Sequence, residues 1–178
     1  MGHCICPPGP PGPEGPTGPP GPAGEIGATG PTGPAGGVLD FADFYALMPG
    51  DNADTVGAGE NVDFPQDGPS GAAGGITRTG ADTFNLEAIG AYQVFFQVSV
   101  TEAGQLILTL DGNDLAYTVV GRATGTSQIV GLAIVQTVTE NSILTVQNPT
   151  GNPTALTITP VAGGARSVSA HLVITRLA

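Results

Sequence analysis

The sequence predicts an all-β protein in which an N-terminal collagen triple helix is followed by a C-terminal trimeric β-sandwich or jelly roll. Three observations predict it. Glycine occupies every third position from Gly9 to Gly36, apolar residues alternate with period two in the C-terminal part, and no apolar stripe of helical period competes with them. Residues 7–36 hold 10 Gly and 11 Pro, whereas 38–178 hold 17 Gly and 6 Pro. The expected division is a Cys-containing N-terminal anchor at 1–6, a Gly-X-Y stalk at 7–37 and a β head at 38–178.

Ten consecutive triplets leave little room for another reading of the stalk. Three polyproline-II strands wound about one axis leave space there for a hydrogen atom only, so each third residue is glycine. Pro7, Pro10, Pro13, Pro16, Pro19, Pro22, Pro31 and Pro34 take the first free slot of a triplet. There they preset φ and reduce the entropy lost on ordering. A disordered Pro/Gly linker has no reason to keep a strict period. At about 3 Å per residue the stalk would extend roughly 90 Å, and it requires three copies of the chain. The Pro-free run Gly24 to Thr29 is its weakest part, and a trimeric head would hold the three strands in register at high effective concentration. Thr17, Thr29 and Thr32 occupy outward triplet slots, as candidate sites for O-linked sugar or as polar filler.

Cys4 and Cys6 stand just before the first triplet, where three chains would bring up to six thiols together. Disulfides between chains or to an anchoring structure suit this place better than a strained bond from i to i+2. His3 adds a third potential ligand, but the spacing is not that of a zinc site, and an inert reduced pair is the plain alternative.

In the head, Tyr92, Val94, Phe96, Val98 and Val100 alternate with Gln93, Phe95, Gln97 and Ser99, predicting a strand over 92–100. Leu106, Leu108 and Leu110 repeat the pattern, Asp111 to Asp114 supply a turn, and Leu115, Tyr117 and Val119 resume it as a hairpin. Further strands are expected at 129–138, 142–147, 155–161 and 169–177. Turns are expected at 121–126, 140–141, 148–153 and 163–164. The segment Ile129 to Val135 is apolar on both faces, which calls for a central strand whose outer side is covered by another subunit. Phe95, Val130, Leu132 and Ile134 are therefore the candidate trimer-interface residues.

Charge removes several function classes. The chain carries 15 acidic residues against four Arg and no Lys, a net charge of −11, so nothing neutralises a phosphate backbone or an anionic bilayer. No nucleic acid or membrane partner is expected. No run of 18 apolar residues is present, and Met1 to Cys6 lacks the basic start and apolar core of a secretory signal. Catalytic residues are not expected either. His171 sits in the last predicted strand as a structural or interfacial histidine, and Ser70 does not lie in a nucleophile elbow. Asp51, Asn52 and Asp54, and Asp111, Asn113 and Asp114, are oxygen-rich, but neither set has the spacing of a calcium loop. Turn formation is the favoured role, and no cofactor or metal is assigned. Arg78, Arg122, Arg166 and Arg176 are each expected to pair with a carboxylate, leaving the head at −9.

Residues 41–178 carry a more specific signal. It lies in Phe41-Ala42-Asp43-Phe44-Tyr45-Ala46-Leu47-Met48-Pro49-Gly50-Asp51-Asn52, Val62-Asp63-Phe64-Pro65-Gln66-Asp67-Gly68-Pro69 and Val119-Val120-Gly121-Arg122-Ala123-Thr124-Gly125. These resemble the C-terminal domain of the BclA-like collagen-like spore-surface glycoproteins. The resemblance implies a trimeric jelly roll of the tumour necrosis factor type at the distal end of a collagen-like filament on a bacterial endospore, on the exosporium or at an appendage tip. It also implies deposition from the mother cell without a secretory signal. The family's exosporium-targeting leader is replaced by the Cys4-Ile5-Cys6 head, so the expected anchor is thiol linkage to a spore coat, exosporium or appendage protein. Two functional readings follow. One is a structural homotrimeric fibre whose head trimerises the rod and meets host or environmental surfaces. The other is a ligand-specific adhesin or lectin-like head that binds a glycan or host protein, disfavoured by the absence of Trp. A phage tail-fibre tip, built on the same polymer logic, ranks third.

Overall fold

The computed structural model describes residues 1–2, 7–25, 27, 37–48, 50–123, 127–159, 164 and 168–178. Cys4, Cys6, Thr29, Thr32 and Arg166 lie outside the described residues. The chain divides into two units, 1–35 and 36–178. In the first, residues 7–25 carry no helix or strand and are exposed, Thr17 among them.

The second unit is a two-sheet antiparallel sandwich. Its strands are β1 (Asp40–Leu47), β2 (Gln66–Ser70), β3 (Ile76–Arg78), β4 (Phe84–Leu86), β5 (Ala91–Val100), β6 (Gly104–Leu110), β7 (Asn113–Asp114), β8 (Val120–Arg122), β9 (Ser127–Gln136), β10 (Ser142–Gln147) and β11 (Val168–Arg176). One sheet has the order β2-β1-β11-β5-β9; the other runs β3-β4-β10-β6-β7, with β8 also paired to β6. The first strand of the head thus lies beside the last, β11, so the sheet closes only when the whole head has been made.

The period-two pattern explains the core. Tyr92, Val94, Phe96, Val98 and Val100 point inward from β5, and Phe44, Leu172 and Ile174 join them from β1 and β11. Phe84, Leu86, Leu106, Leu108, Leu144 and Val146 meet them from the second sheet. Phe84 anchors an aromatic cluster, with ring centroids 4.7 Å from Phe44 and 6.0 Å, edge on, from Phe64. Each fully buried large side chain contributes about 1.5–3 kcal/mol of transfer free energy. Among polar groups that enter the core, the Tyr92 hydroxyl donates to the Ala88 carbonyl at 2.6 Å, and burial raises the pKa of that phenol, whereas the buried hydroxyls of Thr159 and Ser169 have no hydrogen-bond partner among the described residues.

Strands expected at 92–100, 142–147 and 169–177 form β5, β10 and β11, and 129–138 forms β9 two residues earlier. Three expectations are corrected. Leu115, Tyr117 and Val119 do not continue a hairpin strand. The turn at Asp111 and Gly112 has φ of 51° and 75°, the pair of positive values of a type I′ turn, but β7 stops after two residues. A 3-10 turn follows over Ala116–Thr118, fastened because Thr118 Oγ1 accepts from Leu108 N at 2.9 Å and donates to the Leu115 carbonyl at 2.8 Å. Of the strand expected at 155–161, the described residues 155–159 give isolated bridges at Leu156 and Ile158 in place of a strand, with Leu156 paired to Val56 and Ile158 to Val100. Finally, among the described residues β9 is an edge strand and not a central one: it pairs there only with β5.

Gly131 on β9 is placed by packing. It faces inward across from Phe96, and a Cβ there would collide with the Phe96 ring. Gly131→Ala is expected to destabilise the head by about 1–3 kcal/mol, lowering its calorimetric Tm by roughly 3–10 °C. Adding Phe96→Leu, which withdraws the ring edge, is expected to return part of the loss; equal Tm for parent and Gly131→Ala refutes the packing account.

Candidate functional site

The outward face of the first sheet is the most distinctive surface of the head. Hydrogen-bond register lays its side chains out in rows across β1, β11, β5 and β9. One row is Tyr45, His171, Gln97 and Val130; the next is Asp43, Val173, Phe95 and Leu132; the third is Phe41, Thr175, Gln93 and Ile134. Val130, Leu132 and Ile134 are 48%, 63% and 49% exposed, values at which about half of what full burial would contribute is forfeited. Phe41 is exposed on the far side, and Phe95 is half-buried among its neighbours. All four candidate interface residues therefore share one face, as the alternation requires.

Residues not picked out beforehand complete this face. Phe41, Tyr45 and Val173 belong to it because β1 pairs with β11 along its whole length, placing odd-numbered residues of both strands outward. The single acid among outward positions of these four strands is Asp43, whose Oδ1 lies 3.2 Å from His171 Nδ1. The His171 ring also packs against Tyr45, with centroids 5.9 Å apart. No Ser or Cys among the described residues is hydrogen-bonded to His171.

Beside β1 lies a groove of about 520 Å³, lined by Val38, Leu39, Phe41, Ala72 and Val173 together with Asp40 and Thr175. Its floor continues the outward face just described. A second, polar hollow of about 570 Å³ gathers Asp51, Asp54, Glu60, Asp63 and Asp82. Here the oxygen-rich cluster serves the backbone. Asp51 Oδ2 accepts from Leu47 N at 2.7 Å and from Gln66 Nε2 at 3.0 Å, while buried Asn52 exchanges two bonds with the main chain of Asp63. Asp111 does the same elsewhere, its Oδ1 accepting from Ile143 N at 2.7 Å, which ties the β6–β7 turn to β10.

The expected Arg-carboxylate pairing holds for Arg78, which grips Asp67 with Nε at 2.8 Å and Nη2 at 2.9 Å. That hydrogen bond holds the Asp67 carboxyl below the usual range. Arg176 is a correction: it donates to the carbonyls of Ile89 and Ala178, satisfying backbone at the end of β11. Arg122 Nη1 reaches the carbonyls of Val100 and Glu102. Glu102 is held below its ordinary pKa although burial opposes it, because bonds from Thr101 and from the backbone and hydroxyl of Thr157 favour the anion.

No family model matches the chain, and no curated protein matches it. Solved structures do. Murine APRIL at pH 5.0 superimposes with a TM-score of 0.55 at 14% identity, covering 78% of this chain and 98% of that one. The globular domain of zebrafish complement 1qA protein gives 0.50 at 11% identity, covering 76% and 93%. The head is thus a jelly-roll sandwich of the kind found in tumour necrosis factor and complement C1q globular domains.

Asp63 offers a test of the electrostatics. Burial, then repulsion from Asp82 and Asp51, raises its pKa above the unfolded value. An acid with a raised folded pKa favours folding at pH values where it is protonated and opposes it above. Asp63→Asn is therefore expected to raise Tm by about 1–2 °C at pH 7 and to leave it unchanged near pH 3. A gain that persists at pH 3 would have another origin.

Proposed function

We propose that three copies of this chain form a stalked fibre on the bacterial endospore surface, on the exosporium or at an appendage tip. The foot is fixed through Cys4 and Cys6, the Gly-X-Y segment is the spacer, and the jelly-roll head trimerises the rod and presents its outer surface to contacts. The observation that carries this reading is the unbroken glycine period from Gly9 to Gly36. Within one chain nothing lies within 4 Å of the place a Cβ would take at Gly9, Gly12, Gly15, Gly18, Gly21, Gly24 or Gly27, so nothing in the chain itself asks for glycine there. The demand comes from two further strands at a shared axis.

The head supports the same count. Heads of this fold commonly trimerise, and an outward sheet face rich in exposed aliphatic and aromatic residues is a surface that association would cover. The spore assignment rests on the resemblance carried by residues 41–52, 62–69 and 119–125. The acidic surplus of the head triples in the assembly, which keeps fibres dispersed and leaves a cationic surface as the favoured contact.

Sedimentation equilibrium of the full chain under oxidising conditions is expected to return three times 17.6 kDa; a single-chain mass overturns the reading. Gly18→Ala is expected to lower the melting temperature of the stalk while leaving that of the head unchanged, since the substitution crowds the axis of the rod alone. On spores, immunogold labelling is expected at the outermost layer or at appendage ends. Cys4→Ser with Cys6→Ser is expected to release the protein into non-reducing denaturant; continued retention there refutes the thiol anchor.

A further inference from the structure

We propose that Asp43 and His171 make association of the heads proton-linked, so that copies bind one another more tightly in mildly acidic than in mildly alkaline solution. The inference rests on the trimeric reading, in which the outward face of the five-stranded sheet is covered, and adds to it a control by pH.

His171 is the one histidine of the head and lies in the middle of β11. From β1 it meets Asp43 Oδ1, 3.2 Å from its Nδ1, and the Tyr45 ring at a centroid distance of 5.9 Å. From β5 the residue opposite is the uncharged Gln97, with Phe95 on the next row. β2 approaches Asp43 with bare main chain, since a Cβ at Gly68 would come to 3.1 Å from the Asp43 Cβ and Cγ. Two further acids close to this corner are engaged with other groups. Asp51 accepts from Leu47 N and Gln66 Nε2, and Asp67 is gripped by Arg78. β9 brings no charged residue. Imidazole is the side chain that ordinarily changes charge near neutrality, and here it faces a carboxylate on an otherwise uncharged surface.

In the separate subunit both side chains reach water, His171 at 40% exposure and Asp43 at 27%, and solvent compensates either charge state of the pair. A neighbouring copy removes that water. With the imidazole neutral, association buries an uncompensated carboxylate from every copy; with it protonated, each pair is buried without net charge, at much lower cost. The Tyr45 ring favours the protonated form further. The covered state therefore holds the proton more tightly, and association takes protons up. It is strongest where the imidazole is charged and Asp43 ionised, and it weakens as pH rises through the range of about 5 to 8 in which histidines titrate. Each proton taken up changes the association constant by as much as about tenfold per pH unit.

The test is the dissociation of the full chain carrying Cys4→Ser and Cys6→Ser, so that no thiol ties the copies together. Sedimentation of fluorescently labelled protein is followed over a dilution series at about pH 5.5 and about pH 8. The parent is expected to dissociate at a protein concentration roughly tenfold or more higher at the upper pH. His171→Gln, which can still donate to Asp43 but cannot take the proton, is expected to lose this dependence and to associate as weakly at the lower pH as the parent does at the upper. Asp43→Asn is expected to reverse it, because a protonated His171 is then buried without its counter-charge and the neutral ring associates better. Reversal is a result that a merely structural role would not give, since that role predicts equal weakening at both pH values. His3 and the remaining carboxylates are common to all these proteins and cancel in the comparison. Circular dichroism at each pH reports whether the heads are folded, and either variant alone decides the point. Equal dissociation of the parent at both pH values, a dependence that His171→Gln retains, or an Asp43→Asn protein with the parent's dependence overturns the switch and leaves the trimer standing. A single-chain mass at both pH values and every concentration overturns the trimeric reading itself.

Discussion

A β-sheet has two faces and one sandwich can cover only one of them. In this head the inward face of the β2-β1-β11-β5-β9 sheet is closed by the second sheet, with Tyr92, Phe96, Val98 and Leu172 fully buried. The outward face carries Phe41, Phe95, Val130, Leu132 and Ile134, which are exposed or half-buried among the described residues. Placing such residues in water forfeits roughly 25 cal/mol per Å² of apolar area that burial would recover. In the trimer proposed above, that uncovered face would be covered by other copies, and the glycine period makes the same demand from the other unit by a wholly different route.

The two demands reinforce each other. In the proposed trimer, a short triple helix with a Pro-free run between Gly24 and Thr29 would be weak by itself, because bringing three chains together is costly and ten triplets give few interchain bonds in return. Heads that associate convert that encounter into an effectively intramolecular event. The rod in turn raises the local concentration of heads. Neither unit then has to be strongly associating alone, which suits a face whose middle holds a polar pair, His171 with Asp43, and the amides Gln93 and Gln97. Such groups lower the affinity of an apolar surface while restricting the registers in which it can be seated.

Much of this was legible in the sequence, for stated reasons. The strand at 92–100 shows because its inward residues are large and its outward ones, Phe95 apart, are polar. β1 is less legible. Ala42 and Ala46 face inward while Phe41, Tyr45 and Leu47 face outward, so the apolar bulk lies on the side away from the core and the alternation is inverted. β2 has the composition of a turn, Gln-Asp-Gly-Pro-Ser, and is tolerated as an edge strand where Pro69 need not donate into a continuing sheet. The 3-10 turn at Ala116–Thr118 depends on a hydroxyl from Thr118 bridging to β6, a tertiary bond that no period reveals. The outward row of Val130, Leu132 and Ile134 was visible as an apolar run on both faces; the groove was not, because Val38, Ala72 and Val173 come from three segments remote in the chain.

The placement of β9 sharpens the argument more than a central position would have. A ten-residue edge strand without a charge or a proline is an open invitation to pair with any other edge. The Tyr117 hydroxyl occupies one of its carbonyls, that of Ile134, at 2.9 Å, and Gln128 and Gln136 flank the apolar residues at either end. These are light protections for so long an edge. A neighbouring subunit seated over Val130, Leu132 and Ile134 would protect it far better, and would do so with side chains and not by extending the ladder. In the proposed trimer, the strand that is hazardous in an isolated chain becomes a surface that a neighbouring copy covers.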